Sequence, residues 1–322
     1  MRILVTGATG FVGRYLCPVL SARGHLVTAA VRSMPDELIK GTKHTVAVGE
    51  VDGETDWSEA VVEQDAVIHL VARTHVMGET DNDQLYYQTN VEGTRALATA
   101  AIKAGVGRFI FLSSIKALAE ESGQSTLTED MIPIPEDAYG RTKLEAEQIL
   151  LKCASGTDMN TTIVRPPLIY GVGAKANLLK LLKACDKGVP LPLGLINNRR
   201  SLVSLGNLAD ALAVLVEAAG VDHEIFHVSD GDAISTTELV RRISFALGRS
   251  PRLVPVPVWV LKLAGKMTGK SDTISRLTGS LEMTNDKLRR VVGWTPPYNM
   301  IQGLQETAEW FRNLDQPEET TN

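Results

Sequence analysis

Cysteine is scarce. Cys17, Cys153 and Cys185 are odd in number and far apart in a chain of 322 residues. No CxxC pair and no Cys/His ligand spacing occurs. This argues against a disulfide framework and against a structural metal, and points to a reduced, cytoplasmic compartment. Long apolar runs are also missing. The most membrane-like stretch, VPVPVWVLKLAGKMTG, is interrupted by Pro and Lys and is too short to span a bilayer. It is expected to form a helix of a second domain, with a peripheral membrane contact as the weaker alternative. The N-terminal residues show neither the apolar run nor the cleavage site of a signal peptide. No long basic run is present and the net charge is −5, so nucleic acid is not an expected partner.

What is present is ordinary globular material, 44% hydrophobic and 22% charged, enough for a large core and two domains. The first half alternates short apolar runs with helical patterns. RILVT, HLVTAAV, KHTVAVG, DAVIHLV, RFIFLSS and TTIVRP read as buried strands. Helices are expected after the first of them, over roughly 81 to 104, and near 137 to 155. Near-continuous apolar strands alternating with helices predict an α/β fold, a Rossmann-type doubly wound parallel sheet. After Pro166 the chain becomes richer in Pro and Gly, and helical patterns such as TTELVRRISFALG and MIQGLQETAEWFRNL dominate. The expected organisation is a dinucleotide-binding domain over 1–166, with a returning segment near 200–230 that includes EIFHVS. A smaller, mostly helical C-terminal substrate domain follows over 167–322. The last residues, DQPEETTN, read as an acidic tail.

VTGATGFVG places Gly7, Gly10 and Gly13 directly after the first strand and at the start of a helix. A tight turn needs a residue that tolerates positive φ, and a pyrophosphate can approach only bare backbone. The helix N-terminus then offers free N–H groups. Gly7, Thr9, Gly10, Phe11 and Val12 are therefore the candidates for holding the diphosphate of NAD or NADP. The second strand ends in VRS without an acid for the ribose. Arg32 near that end leans the cofactor toward NADP, although a solvated loop would explain the same arginine.

Ser113 and Ser114 end the fifth strand pattern, where ligands of a parallel sheet sit. DAYGRTK follows, with Tyr139 and Lys143 four residues apart on one helical face and Asp137 as its N-cap. Reducing a ketone takes a hydride from a cofactor and a proton from the protein. A phenol of pKa about 10 is a poor proton carrier at neutral pH unless an ammonium lowers it. A serine hydroxyl can share the charge that develops on the carbonyl oxygen.

TGATGFVG, HLVA, NVEGT, LSS, YGRTK, RPPLIYG, SLVSLGNLADA and the late NDKLRRVVGWTP fall in order along nearly the whole chain. In this it resembles the extended short-chain dehydrogenase/reductases of the NAD-dependent epimerase/dehydratase family, which act on nucleotide sugars. The resemblance implies Ser114, Tyr139 and Lys143 as the catalytic set. It implies that Val71, Ala72 and Thr74 line the cofactor, that Asn90 supports the site, and that Pro166 and Pro167 sit by the nicotinamide. It also implies a UDP-sugar bound through Asn177, the Leu178 N–H, Leu191 and Arg200, and a homodimer formed through the two long helices.

Three reactions share this scaffold. Dehydration needs an acid–base pair just after the serine, and Ile115 and Lys116 stand there instead. A 4-epimerase retains NAD, and its relatives carry a ribose-binding acid and a Tyr-Gly where this chain has Leu118 and Ala119. SSIK, RPPLIYG, NRRSLV and VPVPVWVL are most similar to bacterial reductases that form UDP-N-acetylquinovosamine from its 4-keto precursor for surface polysaccharide. Reduction of a UDP-4-keto-6-deoxy-N-acetylhexosamine is thus the expected activity. UDP-hexose 4-epimerisation is the alternative, and a non-catalytic NADP-binding sensor or scaffold the minor one.

Overall fold

The computed structural model describes residues 1–74 and 83–314. The acidic tail and the first two residues of the helix expected from 81 lie outside the described residues.

The chain opens with β1 (Arg2–Thr6), α1 (Gly13–Ala22), β2 (Leu26–Val31), β3 (His44–Ala47) and β4 (Ala66–His69). α2 (Asp83–Tyr87) runs through a π-helical turn, Gln88–Glu92, into α3 (Gly93–Lys103). β5 (Arg108–Leu112), a 3₁₀ turn at Ile115–Ala117, α4 (Ala138–Ala154), β6 (Asn160–Arg165) and β7 (Leu168–Tyr170) follow. The remainder is α5 (Ala176–Asp186), β8 (Leu202–Ser204), α6 (Leu205–Glu217), β9 (Glu224–His227), α7 (Thr236–Ala246), α8 (Val258–Met267), α9 (Ser271–Thr278), α10 (Asp286–Val292) and α11 (Met300–Asn313).

Seven strands form one parallel sheet in the order β3-β2-β1-β4-β5-β6-β9. This is the Rossmann-like, doubly wound arrangement, and EIFHVS does return to the sheet as its seventh strand. Side chains of a strand alternate between faces, so each strand feeds two cores. Ile3, Val5 and Ile68 pack with Leu16 and Leu20 of α1 and Leu208 and Leu212 of α6. Leu4, Val67, Phe109 and Phe111 face the other way, against Leu97 of α3 and Leu150 of α4. A third core, with Leu178, Leu182, Ile243, Leu304 and Phe311, joins α5, α7 and α11. β7 and β8 form a separate parallel pair.

The strand order reverses between β1 and β4, and the crevice at such a switch point is where ligands bind. The glycine turn and the Ser114, Tyr139 and Lys143 group described next lie at that end of the sheet.

Candidate active site

Gly7, the residue after β1, takes φ +69°. A Cβ there would meet Val71 Cγ2 and N at 3.3 Å, so the turn lies directly against the loop that follows β4. A Cβ on Gly13 would stand 2.3 Å from Gly7 O and 2.6 Å from Ala8 Cα. No side chain fits there, and this is what lets α1 start so close to β1. Gly10 N closes the turn on Gly7 O at 2.9 Å. The cradle therefore has the bare backbone and helix N-terminus that a dinucleotide diphosphate requires. Thr9 is exposed on it, Phe11 packs near Gly173, and Val12 is largely buried.

Ser114, Tyr139 and Lys143 converge at the carboxyl end of β5. Ser114 caps the 3₁₀ turn, its Oγ accepting from Lys116 N at 3.2 Å. Ile115 N donates to Pro166 O at 2.9 Å, which fixes the serine loop against the end of β6. The Ser114 hydroxyl lies beside the Tyr139 phenol and favours its ionised form. Lys143 is 1% exposed. Its Nζ donates to Leu112 O at 2.7 Å and lies 3.9 Å above the centre of the Phe111 ring.

The electrostatics differ from the expectation that Lys143 lowers the Tyr139 pKa. Burial pushes the phenol up to about 12; the neighbouring Ser114 hydroxyl opposes this, while Asp137 and Tyr86 add to it. The Lys143 ammonium is engaged instead by the Leu112 carbonyl and the Phe111 face. Burial draws the ammonium itself down to about 7, opposed by Glu147.

Gly140, between the tyrosine and the lysine, has a steric reason. A Cβ there would stand 2.4 Å from Lys116 O, so only glycine lets the start of α4 touch the serine loop. The same junction is tied by charge. Asp137 caps α4 through Gly140 N at 2.7 Å, and Lys116 Nζ reaches Asp137 at 2.6 Å and Glu120 at 2.8 Å. Burial works against the Asp137 charge, but Lys116 and the Gly140 amide outweigh it and hold this carboxyl below the usual range. The sequence marked Asp137 as a cap. Nothing in its pattern marked Lys116 as the partner, because the two lie 21 positions apart with no shared periodicity.

Asn90 lies in the π-helical turn, 1% exposed. Its Oδ1 accepts from Arg73 N at 2.7 Å, and its Nδ2 donates to Arg73 O and to Thr142 Oγ1. It thereby pins the loop carrying Val71, Ala72 and Thr74 to α4, one residue before Lys143. His69, not anticipated from the sequence, continues this frame. The Thr94 hydroxyl donates its proton to Asn90 O, so it accepts from His69 Nε2–H; the Thr6 hydroxyl then donates to Nδ1. Beneath Lys143, Glu147 is paired bidentately with Arg165 at 2.9 and 2.5 Å and accepts from Ser113.

The remaining candidates are less concentrated. Arg32 is 74% exposed and its Nε bonds Glu50 at 3.0 Å, beyond the end of β3. Pro166 and Pro167 are buried at the end of β6. Asn177 is exposed in the first turn of α5, while the Leu178 side chain is core and only its N–H is available to a ligand. Leu191 is half-buried, and its N–H and C=O pair with Arg252 and Val254. Arg200 donates to Arg276 O and Gly279 O, with Glu121 and Glu120 close by. Arg199, next to it in the chain, points outward to Glu282. Among the described residues no cluster suited to a metal ion occurs.

Glycine cradle, parallel sheet and a Ser–Tyr pair beside a buried lysine define a dinucleotide-binding protein of the short-chain dehydrogenase/reductase type. Residues 3–229 match the NAD dependent epimerase/dehydratase family, and the chain belongs to it. It is 40% identical over 319 residues to a UDP-glucose 4-epimerase of Vibrio cholerae, covering 96% of this chain and 95% of that one. It is 27% identical to an N-acetyl-alpha-D-glucosaminyl-diphospho-ditrans,octacis-undecaprenol 4-epimerase of Escherichia coli O157:H7, again over 96% and 95%. The fold matches a crystal structure of UDP-glucuronic acid 4-epimerase from Bacillus cereus in complex with NAD. That match has a TM-score of 0.80 and 21% identity, covering 98% of this chain and 97% of that one.

Proposed function

We propose that the protein is an NAD-dependent UDP-sugar 4-epimerase, with Tyr139 as its acid–base group. The observation that carries this reading is the gathering of Ser114, Tyr139 and the buried Lys143 at the sheet's switch-point end, with no second acid–base pair beside them. Ile115 is buried and the Lys116 ammonium is spent on Asp137 and Glu120, which leaves nothing to drive loss of a C6 hydroxyl. Chemistry is thus confined to one carbon. Both sequence relatives named above are 4-epimerases by name, which makes the epimerase a better-supported reading than the reductase expected from the sequence.

In this reading Gly7, Thr9, Gly10, Phe11 and Val12 hold the NAD diphosphate, and Val71, Ala72, Thr74, Asn90, Lys143 and Pro166 frame the rest. The chemistry that a bound nicotinamide supplies is reversible hydride transfer at C4. Tyr139 removes the proton of the C4 hydroxyl, with Ser114 sharing the charge on that oxygen, and returns it after the 4-keto sugar has turned over. Lys143, once drawn from the Leu112 carbonyl toward bound ligand, supplies the cation that eases loss of the phenol proton. Arg200, Asn177, the Leu178 N–H and Leu191 hold the UDP moiety. NAD is preferred to NADP because Glu50 already occupies Arg32, and a 2′-phosphate would meet that carboxylate.

The 4-keto reductase reading keeps one observation in its favour. Leu118 and Ala119 stand where epimerases carry Tyr-Gly, and Leu118 is packed with Leu127, Leu281 and Met283. Incubation with UDP-glucose or UDP-N-acetylglucosamine, without added nucleotide, separates the two. The C4 epimer is expected. NAD(P)H formed from a 6-deoxy UDP-sugar and added NAD(P)+, with no epimer from either substrate, would replace the epimerase by the reductase. A homodimer through α2, α3 and α4 is also proposed; Asp83 and Tyr87 of α2 with Arg141 and Glu145 of α4 line a groove of about 360 Å³ that a second copy would cover.

A further inference from the structure

The run VPVPVWVLKLAGKMTG forms α8, and its inner side is explained. Leu261 is buried, and a Cβ on Gly265 would stand 2.8 Å from Ile274 of α9. Its outer side is not. Trp259, Leu263 and Met267, at i, i+4 and i+8, are 69%, 53% and 81% exposed. Side chains at this spacing form one stripe along a helix. Val254 and Leu195, near each other through the Gly194 N to Val254 O bond at 3.0 Å, are exposed as well.

Charge is segregated at the same place. Between residues 239 and 271 the chain has seven Lys or Arg and no Asp or Glu, although the whole protein carries −5. Lys262 and Lys266 are exposed on α8 alongside the apolar stripe, and exposed Lys270 follows the helix. Among the described residues none of the three is ion-paired, whereas Arg199, Arg241, Arg242, Arg249, Lys287 and Arg289 of the same half have carboxylate partners.

We propose that this face docks the protein on an anionic lipid bilayer. An aromatic and aliphatic stripe flanked by lysines is the pattern of a helix lying flat in a membrane interface. The apolar side chains enter the acyl boundary while the lysine stems lie along it and their ammonium groups meet lipid phosphates. A purely apolar partner would leave the lysines unanswered, and an acidic soluble partner would leave the stripe in water; an anionic bilayer satisfies both. No helix among the described residues is long and apolar enough to cross a membrane, so the contact is a surface one. α9, whose Arg276 and Gly279 carbonyls hold Arg200, packs directly on α8, so docking would set the substrate half against the membrane.

The test is co-sedimentation with vesicles of phosphatidylcholine alone or with phosphatidylglycerol. Three lysines predict roughly hundredfold tighter binding to the anionic vesicles at low salt. Trp259 is the one exposed tryptophan of four, so its emission should shift blue on binding and be quenched by brominated lipid. Leu263→Asp and Lys262→Glu/Lys266→Glu, changes at exposed positions, should abolish both effects without altering thermal unfolding. Equal binding to both vesicles, binding unchanged in the variants, or concentration-dependent self-association removed by Leu263→Asp would overturn the proposal.

Discussion

The buried interior of the sheet half and the surface of the helical half handle charge in different ways. In the sheet half His69, Lys143, Glu147 and Arg165, together with His227 of the returning strand, are each 2% exposed or less. All but His227 have their polar atoms satisfied; both of its ring nitrogens are unpartnered. In the helical half Arg199, Arg241 and Arg249 pair with Glu282, Glu238 and Asp186 at the surface, and the α8 lysines face water. An ion pair gains most where water is excluded, and a buried charge without its partner is costly. The difference therefore separates a rigid frame, able to hold a tyrosine and a serine in register, from a surface that can adapt to what it binds.

The sharpest way to break this contrast is Arg165→Met. It leaves the Glu147 carboxylate buried without its bidentate partner, and should cost about 3–5 kcal/mol in urea unfolding. A loss comparable to that of a surface pair would mean the frame is not dry. Next is acid. Burial lowers His69 and His227 to about 3, so the unfolded chain binds protons that the native chain refuses. The contribution of the two histidines is fully present above about pH 6.5 and is lost as pH drops from 6.5 toward 3, by about 1.4 kcal/mol per unit for each. Urea midpoints at pH 7.5 and 5 should show this slope, and His69→Gln should roughly halve it.

Asp137→Ala sharpens the comparison at the site itself. Loss of the cap should cost about 1 kcal/mol. Asp137 is also one of the groups that raise Tyr139, so its removal should move the alkaline limb of the pH–rate profile to lower pH. A purely structural role would leave that limb in place. Smallest of all is Arg199→Ala in the helical half. Its pair with Glu282 is exposed, and the urea midpoint should not move measurably.

How far each half could be read in the sequence follows the same division. Strands buried on both faces announce themselves as apolar runs, so β1, β2, β4, β5 and β6 were expected where they stand, and the glycine turn and Tyr139–Lys143 sit on local patterns at their ends. Even there the local reading stopped at pairs distant in sequence. Lys116 with Asp137, His69 with Thr6 and Thr94, and Glu147 with Arg165 depend on which strand ends become neighbours. The helical half is joined by isolated main-chain bridges, such as Arg200 with Ile234 and Leu281, which leave no periodic trace. Arg200 was singled out, but its hold on the Arg276 and Gly279 carbonyls was not visible. Likewise, spacing put Lys143 beside Tyr139, whereas the depth of Phe111 and the Leu112 carbonyl decided where its charge went.

The most direct measurement is the turnover of Tyr139→Phe with UDP-glucose, compared with the parent under identical conditions. The ring is kept and only the phenol oxygen is lost, so the fold should persist by circular dichroism while turnover falls about 10²- to 10⁴-fold. A variant that epimerised at the parent rate would show that the proton passes elsewhere, and would contradict the account.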